Sequence, residues 1–66
     1  MEFNERLKEI RKERNLTQKD IYTLLNVSAN CYASWEQGRT EPDIKNIKNL
    51  CKIYNVSADY LLGIEE

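Results

Sequence analysis

The chain has 66 residues, 41% hydrophobic and 32% charged, with 10 basic and 11 acidic side chains and a net charge of −1. That length allows one small domain, which buries only about 60% of its unfolded surface and depends on close packing, and the composition is that of a folded domain rather than a disordered tail. No apolar run approaches the roughly 20 residues of a membrane-spanning helix, and with no histidine and two cysteines the chain lacks the ligands for a zinc site.

Phe3, Leu7 and Ile10 fall at i, i+4 and i+7 and predict a first helix over 2–14, stopped at Asn15. Thr17, with Asp20 three residues on, resembles a capping box and opens a second helix over 17–25, closed at Asn26. Ser28 caps a third helix over 28–37, with Tyr32 and Trp35 on one face and Gly38 behind it. Pro42 disfavours helix at Glu41, so Asp43 caps a fourth over 43–54, whose stripe is Ile44, Ile47, Leu50, Cys51 and Tyr54. After Asn55, Ser57 caps a fifth over 57–62, before Gly63. All five stops are Asn or Gly, the types that accept a left-handed backbone just past a helix. No stretch alternates as a strand does, and there is no repeat or linker. The expected fold class is all-α: five helices in a single domain, 1–66.

Charge is unevenly distributed. Residues 1–14 and residues 15–52 each hold five basic against four acidic side chains, whereas residues 53–66 hold only Asp59, Glu65 and Glu66. A mildly positive face is therefore compatible with an acidic whole, although a nucleic-acid binder usually carries a basic surplus. Nothing catalytic is legible. Histidine is absent, two glycines cannot build a phosphate loop, and the carboxylates alternate with basic residues as on a solvated helix face. The expectation is a non-enzyme without metal or cofactor. Cys51 reads as a small core residue and Cys31 as a neutral thiol, and an unstapled chain of this size reads as cytoplasmic.

The stretch from Thr17 to Pro42 is the most informative. Two short helices joined by Asn26-Val27 have the geometry of a helix-turn-helix, whose second helix enters a major groove about 12 Å wide. In that second helix the aromatic face of Tyr32 and Trp35 suits a core, while Ser28, Ala29, Asn30, Ala33 and Ser34 are small or polar and lie on other faces. These pieces, with Leu7-Lys8-Glu9-Ile10-Arg11, Leu16-Thr17-Gln18, Leu25-Asn26-Val27-Ser28, Ser34-Trp35-Glu36-Gln37-Gly38-Arg39 and the run Asn55 to Gly63, resemble the Cro/repressor-type, lambda-repressor-like helix-turn-helix family over nearly the whole chain. There are two departures. Tyr22 stands where the family usually has Ala, and the reading helix lacks the Arg, Lys or Gln often found there.

The resemblance implies a double-stranded DNA-binding transcriptional regulator, of repressor type, from a bacterium or phage. It implies base contacts from Ala29, Asn30, Ala33 and Ser34, with Asn30 the best reader because its amide pairs bidentately with adenine. Phosphate contacts are expected from Gln18, Ser28, Arg39, Thr40 and Lys45, and an orienting ion pair from Arg11 and Glu36. Val56, Tyr60, Leu61, Leu62 and Ile64 are more apolar surface than a five-residue helix buries in its own core, which points to a homodimer on a pseudo-palindromic operator. The rival is a protein-interaction module, of antitoxin or anti-repressor type, on the same fold.

Overall fold

The computed structural model describes residues 1–64 and contains α1 (Phe3–Glu13), α2 (Gln18–Leu25), α3 (Ala29–Glu36), α4 (Ile44–Tyr54) and α5 (Ala58–Leu62). There is no strand among the described residues. Thr17, Ser28, Asp43 and Ser57 sit at the N-caps with extended backbones, and each side chain accepts the N–H three residues on. Four otherwise orphaned amides are satisfied in this way. The stops are equally local. Asn15, Asn26 and Asn55 have φ of 56°, 58° and 55°, and Gly38 and Gly63 both have 78°.

Each helix contributes to one core: Leu7 and Ile10 from α1, Ile21 and Leu25 from α2, Tyr32 and Trp35 from α3, Leu50 and Tyr54 from α4, and Leu61 from α5. Burying such side chains stabilises the fold by about 1.5–3 kcal/mol each before chain entropy is set against it. Trp35 meets Tyr32 edge-on at 5.7 Å, and the Tyr32 and Tyr54 hydroxyls are 3.4 Å apart. The helices pack as α2 on α3 and α4, α1 on α3 and α5, and α4 on α5. Arg14 Nη2 donates to the Tyr54 carbonyl at 2.8 Å, tying the end of α1 to the end of α4.

Three sequence expectations change. Ile44 is 74% exposed, because the first turn of α4 overhangs the core that Leu50 and Tyr54 occupy. Leu61 is fully buried, so it is a core residue and not an intermolecular contact. Tyr60 is half-buried, with the Arg6 guanidinium 4.1 Å above its ring. Tyr22, for which a small residue is usual, packs half-buried against the core. At the other end of the fold, a Cβ on Gly63 would lie 2.5 Å from the Met1 carbonyl oxygen, so the chain closes on its own start there.

Candidate nucleic-acid interface

The α2–turn–α3 unit is set by its caps. Thr17 Oγ1 accepts from Asp20 N at 3.1 Å while Asp20 Oδ2 accepts from Thr17 N at 2.8 Å. That backbone N–H, with the Thr17 hydroxyl, holds the Asp20 carboxyl below its ordinary value. Asn26 then turns the chain through its left-handed conformation, and Val27 N closes on Tyr22 O at 3.1 Å. Ser28 Oγ accepts from Cys31 N at 3.0 Å and starts α3.

The far end of α3 is fixed by a buried charge. Glu36 is 2% exposed and receives Arg11 Nε at 2.7 Å on one oxygen, Arg11 Nη2 at 3.1 Å on the other, and Gln18 Nε2 at 3.0 Å. Arg11 Nη1 also donates to the Leu16 carbonyl at 2.9 Å, so one guanidinium joins α1, the approach to α2 and α3. Burial pushes the Glu36 carboxyl up, but hydrogen bonds from Arg11, Tyr32 and Gln18 outweigh it and leave it below its ordinary value. The Arg11 guanidinium is correspondingly pushed up by its bond to Glu36, against desolvation. Gln18 therefore braces α3 with an amide N–H.

The outward face of α3 carries no buried charge. Ser28, Ala29 and Asn30 are exposed, and Asn30, Ala33, Ser34, Gln37, Arg39 and Thr40 line one open cleft of about 420 Å³. Arg39 is exposed at its rim, with Nη1 3.4 Å from Gln37 Oε1. Lys45 is exposed in the first turn of α4 and is not among the cleft residues. Gln37 is the residue sequence reasoning passed over. Its place one turn beyond Ala33 on the same face could have indicated it. The Thr40 hydroxyl lies 2.5 Å from Ser34 Oγ, and its N–H points at Ser34 O at 3.4 Å. Ser34 Oγ itself donates to Cys31 O at 2.7 Å.

Of the residues expected at a dimer contact, Leu62 and Ile64 are 40% and 69% exposed, Val56 and Tyr60 are partly buried, and Leu61 lies inside. The exposed apolar surface extends instead to Met1 and Ile44. These border a groove of about 650 Å³ that Phe3, Pro42, Ile47 and Leu62 also line. No helix among the described residues is long and apolar enough to cross a membrane.

Known proteins share this arrangement. The transcriptional regulator ImmR of Bacillus subtilis is 39% identical over 66 residues, which span 52% of its length. The transcriptional activator BcrR of Enterococcus faecalis is also 39% identical over 66 residues, which span 32% of its length. The chain thus matches about half or less of these relatives. A crystal structure of a transcriptional regulator from Listeria innocua superimposes with a TM-score of 0.91 at 34% identity, covering 98% of this chain and 61% of that one. The P22 c2 repressor, crystallised with a synthetic operator, superimposes with a TM-score of 0.89 at 31% identity over 98% of both chains. The helix-turn-helix family pattern runs from Leu7 to Leu61, through every cap, stop and core position that builds α2 and α3 into this fold, and the chain belongs to that family.

Proposed function

We propose that residues 1–66 act as one sequence-specific DNA-binding module of a transcriptional regulator, of repressor type, that lays α3 in the major groove. The observation that carries this is the division of α3. Tyr32, Trp35 and Glu36 are locked into the domain, while Ala29, Asn30 and Ala33 with the following Arg39 lie on its outward side. Likeness to the P22 c2 repressor, itself crystallised with operator DNA, supports the same reading. In this role Asn30 reads a base edge, Ala29 and Ala33 admit a thymine methyl, and Arg39, Gln18, Ser28 and Lys45 hold phosphates. Gln18 does so at the N-terminus of α2, where free amides and the helix dipole favour an anion. The module works by binding, without catalysis, in a bacterial or phage-infected cytoplasm. A second copy covers Leu62, Ile64, Ile44 and Met1, so that two reading helices meet one face of a pseudo-palindrome.

Two substitutions separate reading from clamping. Asn30→Ala is expected to weaken binding to the preferred operator by about 1–3 kcal/mol, and by much less once the matching base pair is changed. Arg39→Ala is expected to weaken operator and random DNA alike and to flatten log K against log salt by about one unit. Titration of both variants on matched and mismatched duplexes at several salt concentrations decides it. If wild type showed no salt-sensitive retention on random DNA, the DNA-binding reading would fall and the protein-interaction reading would replace it.

A further inference from the structure

Arg6 carries a charge that its own chain leaves unanswered. Its guanidinium lies 4.1 Å above the Tyr60 ring, which attracts a cation but offers its N–H groups no carboxylate. Its Nε is buried and bonds nothing. Among the described residues the ion pair is Arg11 with Glu36, and Arg6 takes part in none. Arg6 nevertheless borders the apolar surface that a second copy would cover. It follows Phe3 by one turn of α1, and Phe3 lines the groove with Met1 and Leu62. The ring beneath it, Tyr60, stands two residues before Leu62 in α5.

Apolar surface laid over an unpaired cation removes its water and puts nothing in its place, so a contact that reaches Arg6 has to bring a carboxylate. A two-fold contact is one patch used twice, and the carboxylate must therefore belong to that same patch. Asp59 meets both conditions. It is exposed, forms no ion pair among the described residues, and lies three residues before the exposed Leu62, on the same side of α5. It also adjoins the ring that carries Arg6, whereas Glu2 and Glu41 lie along the groove with Pro42. We propose that Arg6 and Asp59 are the charge clamp of the two-fold contact, with Arg6 of each copy taking the partner's Asp59. The guanidinium fork suits a carboxylate, and stacking on Tyr60 has already ordered the arginine, so little further freedom is lost on pairing. The inference rests on the second-copy arrangement proposed above.

Arg6→Glu and Asp59→Lys are titrated singly, mixed and combined in one chain, on a paired site and a half-site selected from a random duplex pool. Each single variant puts two like-charge contacts into the pair of copies, and is expected to weaken paired-site binding by at least about tenfold while changing half-site binding by less than about twofold. The equimolar mixture is the decisive sample. There one contact joins the two substituted side chains and the other joins the two native ones, so both are attractive. Mixture and combined variant should each return to within about threefold of wild type. Should thermal unfolding show that Arg6→Glu does not fold, Asp59→Lys in an Arg6→Gln background serves, and its loss should shrink to less than about threefold. Recovery in the combined variant without recovery in the mixture would place the pair within one chain and overturn the inference. An unaffected Asp59→Lys would also overturn it, while a loss in Leu62→Asp left the second-copy arrangement standing. Binding of wild type to the paired site without cooperativity would overturn both.

Discussion

Glu36 is the residue on which the orientation of α3 depends, and its environment sets its energetic weight. A carboxylate with 1% of its side chain exposed, held by an arginine with 12% exposed, cannot fall back on water when its partner is removed. Arg11→Ala should therefore lower stability by about 3 kcal/mol, a large share of what a domain this small has, as measured by urea unfolding. Arg11→Lys should not restore it, because an ammonium lacks the two-pronged geometry. The pH dependence follows in sign. The folded-state carboxyl is held below its ordinary value of 4.5, so its contribution is present above that value and is lost as pH falls through the lower folded one. Glu36→Gln should be less stable at neutral pH and should lose less further stability below pH 4.5 than wild type does. The Arg11–Glu36 contact spans 25 residues, and no local period announces it; only the family resemblance points to it. The Ser34–Thr40 contact is not legible at all, because it depends on how the loop after α3 folds back onto the helix.

The helices were legible in the chain because their ends are chemically marked. Every stop combines a left-handed backbone with Asn or Gly, and every start from α2 onward carries a capping Ser, Thr or Asp. Asn26, at φ 58°, leads directly into the turn before α3. Asn26→Ala should cost about 1–2 kcal/mol, whereas Asn26→Gly should leave the melting temperature at or above that of the parent. What periodicity does not give is how far a face reaches. Ile44 belongs to the apolar stripe of α4 by spacing, yet it lies one turn beyond the point where neighbouring helices cover that stripe. In α5, five residues are too few for spacing to separate a core position from a surface one, and Leu61 and Leu62 take opposite roles although they are adjacent. Burial is decided by packing between elements, which no single element encodes.

For the molecule as a whole, all five helices converge on one core, and two of the surfaces they leave are unlike. One is the polar cleft of α3; the other is the apolar groove bordered by Met1, Ile44 and Leu62. The acidic pair Glu65 and Glu66 lies outside the described residues. If a second copy covers the apolar surface, Leu62→Asp should weaken binding to a paired site by at least about tenfold, the worth of one buried leucine, and leave binding to a single half-site unchanged. Footprints on the paired site should show half-sites about 10 base pairs apart, centre to centre. A single half-site protected by one protein would rule the arrangement out. Architecture could be read from the sequence because its signals are local and repeated five times. The partner surface could not, because it is whatever apolar area remains once packing is complete.

Gly63 lies so close to the carbonyl of Met1 that no side chain fits between them, and this makes the order of the helices negotiable. When the two ends of a fold already touch, the sequence in which its parts are synthesised stops mattering to the finished packing. A circular permutant in which a few glycine and serine residues join Ile64 to Met1, with new ends opened at the exposed Glu41, should recover the parent far-ultraviolet dichroism and melt cooperatively. Loss of the helical signal would mean that the meeting of the ends is a consequence of the native chain order and not a property the five helices keep without it.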